Sequence, residues 1–553
     1  MLHRRSLSDS PRSGRVVVAL AAAAALGLVA AAPAAADPPT PAQSGAALSK
    51  KLTSAVTPTG VLGHLRQLQK IADANGNTRA SGTPGYDRSA DYVARKLEHA
   101  GYQVARQSFE FPYFEERSPS KFSQVSPAPK TFVNGTDFAT LSFSGDGAAQ
   151  GTVTAVDVSL TPPRATTSGC EAADFANFPK GNIALVQRGT CDFIIKANNA
   201  VAAGAVGLIV FNQGNGTEAA NPDRFGLFQG NLGGPVPIPA ITVPYALGAQ
   251  LAGASGTVVR IEADTLSETR TTQNVIAETK AGRADNVVMA GAHLDSVPEG
   301  PGINDNGSGS AGLLEVALEY APLAKKATNK VRFAWWGAEE GGLLGSAHYV
   351  SELTPEQVAD IGLYLNFDMI GSPNYLLAVY DGDNSTGSGT PPAGSGALEK
   401  IFRKYLASRG QQVVDTEFDG RSDYGPFIAE GVGIPAGGLF TGAEGKKTAA
   451  DVAKFGGVPG VAYDPCYHQA CDSLTPASDG ADGAVYKKLT KAYGRKLVGN
   501  INVFALDLNS DAIADAVARL AWDTSGVSAP GDAPKVAAAG APSGGRLGPL
   551  ATA

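Results

Sequence analysis

Histidine is scarce in this chain, with six among 553 residues, and cysteine is scarcer, with four. Tryptophan and methionine number three each, and charged residues make up only 18%. So few cysteines exclude a disulfide-dense scaffold, and so few charges argue against a solvated helical bundle. Basic excess is also lacking. The formal net charge is −7, and because the first 36 residues hold four Arg and one Asp, the remainder stands at −10. Such a balance gives no electrostatic basis for binding nucleic acid or an anionic membrane. Beyond one N-terminal run, no stretch is long and apolar enough to span a bilayer. What is abundant is glycine, 67, and proline, 35, which suits a loop-rich exported protein. The length leaves room for two folded domains with appendages.

The N-terminus reads as a secretory signal. Arg4, Arg5, Arg12 and Arg15 precede an apolar run over 16–32, and Ala34-Ala35-Ala36 offers small residues for cleavage before Asp37. An uncleaved anchor is the alternative, but the run is alanine-rich and marginal in length. Cleavage near Ala36 predicts an extracellular protein without a membrane segment. In an oxidising compartment four cysteines favour disulfides over zinc–thiolate ligation. Three connectivities are open, and proximity suggests Cys170–Cys191 and Cys466–Cys471.

Hydrophobic spacing predicts two helices over 61–101, broken by Gly82-Thr83-Pro84-Gly85, then an alternating strand over 102–111. From 134 to 263 the pattern shifts to short strands and turns. Strands resume at 286–292, 331–336, 361–367 and 376–380, with helices between several of them. This alternation predicts an α/β fold with a mixed, mostly parallel sheet flanked by helices. Long helices are expected over 484–506 and 511–522, followed by a Pro/Gly/Ala-rich tail without periodicity. The expected organisation is a signal over 1–36, an α/β domain in two parts, 37–133 and 272–522, a β-rich insertion over 134–271, and a disordered tail over 523–553.

Six segments carry residues suited to divalent metal: Gly-Ala-His293-Leu-Asp295-Ser, Gly-Ile-Asn-Asp305-Asn-Gly, Ala-Glu339-Glu340-Gly, Asn-Phe-Asp368-Met-Ile-Gly, Gly-Arg421-Ser-Asp423-Tyr and Cys466-Tyr467-His468-Gln-Ala-Cys471. His293 and Asp368 each follow an apolar run, so each should emerge at the carboxyl end of a strand, where open α/β sheets bind ligands. Asp295 is placed to hydrogen-bond the His293 imidazole and fix its tautomer. Asp305 could simply cap a turn, but a carboxylate can also bridge two metals. Adjacent Glu339 and Glu340 are costly to bury without counter-charge; metal removes that cost for one and leaves the other to hydrogen-bond water. A Cys466–Cys471 bond would steady the loop bearing His468, and Tyr467 offers a hydroxyl to a developing oxyanion. Singly, each segment has an ordinary structural explanation; together they read as a two-metal hydrolase. His348, at helical spacing within 343–349, is expected to pack or to support the site from behind, and His64 and His99 belong to helices without carboxylate company in sequence.

The chain resembles secreted zinc aminopeptidases of the M28 peptidase family over about residues 61–506. The insertion, with Gly181-Asn-Ile-Ala-Leu-Val-Gln-Arg188 and Ala205-Val-Gly-Leu-Ile-Val-Phe211, resembles the protease-associated (PA) domain. By that resemblance two zinc ions are implied, one on His293 and Asp368, the other on Glu340 and His468, with Asp305 shared and Glu339 as general base. Tyr467 and Arg421 would act on the substrate carbonyl, and Asp295 would support His293. Calcium acts in some relatives, though no complete site for it is evident. The implied substrate is a peptide or protein N-terminus with a large apolar residue such as Leu, processed by a monomer. Two rivals remain: a metallocarboxypeptidase, for which only Arg421 offers a cation, and an inactive binding ectodomain, in which ligands should be missing.

Overall fold

The computed structural model describes residues 38–219, 221, 224–387 and 389–527. The segment read as a signal, and the tail from residue 528 onward, lie outside them. Among the described residues no helix is long and apolar enough to cross a membrane.

Two early helices start alike. Thr57 and Thr83 each accept a hydrogen bond from the N–H three residues on, and Pro58 and Pro84 fill first-turn positions that need no donor. Helix Pro84–Ala100 ends at Gly101, whose φ of 96° suits glycine. Four strands form the centre of the sheet, neighbours in the order Ala436–Phe440, Ile361–Phe367, Arg283–His293 and Asn329–Trp336, all mutually parallel. Ala378–Tyr380 and Val414–Thr416 extend one side, and the end of Val258–Glu278 joins antiparallel on the other. The sheet is therefore mixed and mostly parallel, as expected.

Strand alternation feeds two cores. Val288, Ala290, Phe333, Trp335, Leu363 and Leu365 pack with helices Pro58–Asp73, Pro84–Ala100, Gly307–Tyr320 and Val503–Leu520. Met289, Ala334, Trp336 and Tyr364 pack with Tyr349 and Phe427 in the other. In that second core the Trp336 indole donates to the Tyr364 hydroxyl at 2.8 Å. The pair crosses over Gly291, where a Cβ would lie 2.4 Å from that hydroxyl and 2.7 Å from the indole nitrogen. The glycine two residues before His293 is thus a matter of space.

Strands Gln103–Ser126 and Val258–Glu278 are far longer than the strand expected over 102–111. They pair antiparallel from Gln103↔Glu278 to Ser126↔Val258. Their register shifts between Glu116 and Ser118, and again between Ser118 and Lys121, where Pro119 has no N–H to contribute. Past these shifts the ribbon enters the inserted region. There Gly147–Ala155 pairs with Val258–Glu278, and Ile183–Gln187, Gly207–Phe211 and Ala240–Val243 follow in parallel. One sheet therefore runs through both regions.

The helix expected over 484–506 is two elements. Gly483–Tyr493 stops at Gly494, with φ 57°, and a short hairpin turns through Gly499, with φ 61°, before Val503–Leu520 begins. That second helix absorbs the one expected over 511–522. It packs beside helix Pro41–Ala55, whose buried Gly45, Leu48, Ser49 and Leu52 recur at helical spacing, and Ser49 donates to Asp515 between them.

Gly291→Ala should lower stability by about 1–3 kcal/mol, because both clashing groups are buried and bonded to each other. A urea midpoint unchanged from wild type would show that this crossing has slack.

Candidate metal centre

Because the central strands are parallel, their carboxyl ends share one edge of the sheet. His293 is the last residue of its strand, Asp368 follows Ile361–Phe367, and Glu339 and Glu340 follow Asn329–Trp336 by a short turn. Asp305 lies in the turn before helix Gly307–Tyr320. Its two oxygens face different imidazoles: Oδ1 is 3.3 Å from Nε2 of His293, and Oδ2 is 3.3 Å from Nε2 of His468. Each imidazole has its own further carboxylate. Asp368 Oδ1 is 3.3 Å from the His293 nitrogen, and Glu340 Oε2 is 3.1 Å from that of His468. Glu339 Oε2 stands 3.7 Å from His293. All six side chains line one cavity of about 630 Å³.

A six-residue loop closed by the Cys466–Cys471 disulfide carries His468, and the Cys170–Cys191 bond is formed as well. His468 has φ 55°, uncommon away from glycine, and its ring stacks on Tyr467 at 3.8 Å between centroids. The Tyr467 hydroxyl accepts from Arg421 at 3.3 Å, while the same guanidinium donates to Glu444 at 3.0 Å. Arg421 is thus tied to Tyr467 rather than standing alone over the centre. Burial, then Asp305 and Glu340, push the Tyr467 hydroxyl well above its ordinary range, so it stays a donor.

Asp295 does more than face His293. One oxygen lies 3.6 Å from Nδ1 of the imidazole, and the carboxylate also accepts from the backbone N–H groups of Glu339 and Glu340 at 3.3 and 3.4 Å. Several supporting residues carried no signal in sequence. Asp472 accepts from the N–H groups of Asn304 and Asp305 at 2.8 and 2.9 Å, fixing the turn that presents Asp305. Asn500 joins Asp472 to Asp464, which in turn accepts from the N–H of Cys466. Ser422 donates to Asp368 at 2.6 Å. Asn306 accepts from Met369 N–H and donates to the Phe367 carbonyl, coupling the Asp305 turn to the end of the Asp368 strand. Arg79, fully buried, donates to the carbonyls of Leu294, Pro301 and Gly302. Its partners lie more than 200 residues away in sequence.

So many carboxylates in a buried space demand positive charge. Burial opposes a charge on His293, yet Glu339, Asp368, Asp295 and Asp305 drive its pKa well above the ordinary value. Burial likewise opposes His468, but Glu340 and Asp305 push it up to about 12. Burial raises Glu340 to about 7, with Asp305 adding to the effect, and it also raises Glu339 well above the ordinary carboxylate range, helped by Glu340, Asp423 and Asp368. Protons answer part of this demand, but Asp368 Oδ1 and Glu340 Oε1 are buried without a hydrogen-bond partner. The residues therefore fit divalent cations: bare carboxylate oxygens and imidazole nitrogens converge on two adjacent positions. Asp381, Glu399 and Asp415 also converge, but Arg403 donates to Glu399 and Asp415, and Ser385 and Thr386 donate to Asp381.

Residues 274–492 match the model of peptidase family M28, and residues 150–251 match the PA domain. An aminopeptidase of Pseudomonas aeruginosa is 44% identical over 494 residues, 88% of this chain and 86% of that one. Leucine aminopeptidase 2 of Trichophyton tonsurans is 39% identical, covering 84% of each chain. Among solved structures, the aminopeptidase from Aneurinibacillus sp. strain AM-1 superposes with a TM-score of 0.61 at 23% identity, over 85% of this chain and 95% of that one. A zinc aminopeptidase from Bacillus subtilis gives 0.51 at 24%, over 84% and 94%. Identity sustained over most of both chains, on a sheet that brings the motif residues to one edge, establishes that this chain belongs to peptidase family M28, as an aminopeptidase carrying a PA domain.

Proposed function

We propose that the protein is an exported di-zinc aminopeptidase that releases large apolar N-terminal residues, with Glu339 as general base. The observation that carries this reading is Asp305, whose two oxygens each face a different imidazole, with Asp368 beside one and Glu340 beside the other. His293 and Asp368 would hold one ion, Glu340 and His468 the second, and Asp305 both. Imidazole and carboxylate donors with an open position suit catalytic zinc. Bound there, the ions supply Lewis-acid chemistry, activating water and polarising the scissile carbonyl.

The chain's own residues do the rest. Glu339 takes the proton of the attacking water and returns it to the departing amine, and its burial among carboxylates makes it a strong acceptor. The Tyr467 hydroxyl donates to the oxyanion, and Arg421, bonded to that hydroxyl, aims it. Glu339 and Asp368 receive the substrate's α-ammonium. Met369, Tyr380 and Phe440 give the cavity an apolar side suited to Leu, in keeping with the leucine aminopeptidase name of the Trichophyton relative. A carboxypeptidase would need cations for the substrate carboxylate, whereas of the two arginines lining the cavity Arg421 is engaged by Glu444 and Arg188 lies over the Phe228 ring. Arg403 pairs with Glu399 and Asp415 of the other acidic cluster, and Ser385 and Thr386 donate to its Asp381, so that cluster is engaged within the protein instead of open to calcium. Export is supported by the N-terminal segment and by two formed disulfides.

Glu339→Ala should cut kcat on Leu-p-nitroanilide by at least about 10²–10⁴-fold while elemental analysis still finds two zinc ions per chain. Turnover near the wild-type rate would remove Glu339 from the base role. Replacing both Cys466 and Cys471 by Ser should free the His468 loop and weaken the second zinc by about 10–100-fold in competition with a chelator, the first ion being retained. Unchanged affinity at both positions would mean that the loop is held without its disulfide.

A further inference from the structure

The cavity at the metal centre is not walled by the peptidase sheet alone. Arg188, Leu227, Phe228 and Gln229, all from the PA domain, line it together with His293, Asp305 and the neighbouring carboxylates. We propose that this PA wall binds the part of the substrate beyond the scissile bond, so that the enzyme favours oligopeptides over single-residue amides; the inference rests on the aminopeptidase reading of the site.

The wall is built to hold its shape. The Phe228 carbonyl accepts from the Thr242 hydroxyl at 2.7 Å, the Gly226 carbonyl from the Asn212 amide at 2.8 Å, and the Gly230 carbonyl from the Ser142 N–H at 2.9 Å. The segment is thus pinned to the PA core on both sides of Phe228. The ring stays half-buried, and the Arg188 guanidinium lies 4.8 Å over its face, fixing its tilt. The paired strands Gln103–Ser126 and Val258–Glu278 join the PA region to the peptidase sheet, pairing on both sides of their register shifts, which sets the distance between the wall and the metal centre.

Substrate chemistry assigns the wall its role. The α-ammonium belongs among the carboxylates, which places the N-terminal residue on the peptidase side, near Met369, Tyr380 and Phe440. Among the described residues, the PA contribution to the cavity brings no acidic or imidazole group; it offers an aromatic face, an aliphatic side chain, an amide and a guanidinium. Such a surface suits the apolar side chains and peptide groups of an extended chain. The cavity, at about 630 Å³, lies within the range of clefts that bury most of a drug-sized ligand.

The test compares the wild-type full chain with Phe228→Ala and Phe228→Leu on Leu-p-nitroanilide and on a Leu-led tetrapeptide with free ends. For Phe228→Ala the ratio of kcat/KM for the tetrapeptide to that for the anilide should fall about tenfold, through KM, and Phe228→Leu should recover part of it. An unchanged ratio in Phe228→Ala overturns the inference. So does a shift in preference between Leu- and Ala-p-nitroanilide, which would place Phe228 in the pocket for the terminal residue. Wild-type turnover of Leu-p-nitroanilide in the same assay judges the aminopeptidase reading separately: its absence counts against that reading, whereas its presence with an unchanged ratio counts against the wall alone.

Discussion

Everything at the centre of this enzyme depends on one carboxylate held between two imidazoles. Asp305 meets His293 with one oxygen and His468 with the other, each at 3.3 Å. Burying that group beside Asp368, Glu339 and Glu340 concentrates negative charge where water cannot screen it, and only cations or protons can answer it. The rest of the fold makes the arrangement affordable and keeps it in place. Three of the four parallel strands deliver His293, Asp368 and the Glu339-Glu340 pair to one edge of the sheet, Asp472 grips the backbone of the Asp305 turn, and Arg79 clamps the Pro301 and Gly302 carbonyls just before it.

A second constraint is the ribbon of two long strands. Because Gln103–Ser126 and Val258–Glu278 stay paired from the peptidase sheet into the PA region, the two regions share one hydrogen-bonded framework and not a flexible linker. The register shifts around Pro119 bend that framework without cutting it. A PA segment, Leu227 to Gln229 with Arg188, therefore stands as one wall of the cavity that holds the candidate metal ligands.

Much of the centre was legible in sequence because its determinants are local. His293 and Asp368 sit directly after strand-forming runs, Glu339 and Glu340 are adjacent, and His468 lies inside a short cysteine loop, so each motif announces its own place. Both disulfides followed from proximity. What could not be read is what depends on distant partners. Arg79 looks like an ordinary residue in a Gly/Ser/Thr turn, and its function exists only once residues 294–302 arrive beside it. Asp472 and Asn500 likewise gain meaning from a turn near residue 304. Arg421 stands alone in its sequence segment, and its bonds to Tyr467 and Glu444 exist only once those distant segments meet beside the cavity. The apolar spacing through 484–506 is helical, yet Gly494 and Gly499, both with positive φ, break it into a helix, a hairpin and a second helix.

The central claim is that Asp305 bridges two zinc ions. Anomalous scattering at the zinc edge from crystals of the purified enzyme tests it most directly. The account predicts two peaks about 3.5–4 Å apart, one beside His293 and Asp368, the other beside Glu340 and His468, with an Asp305 oxygen on each. A single peak at full zinc loading, or two peaks of which only one touches Asp305, would contradict it.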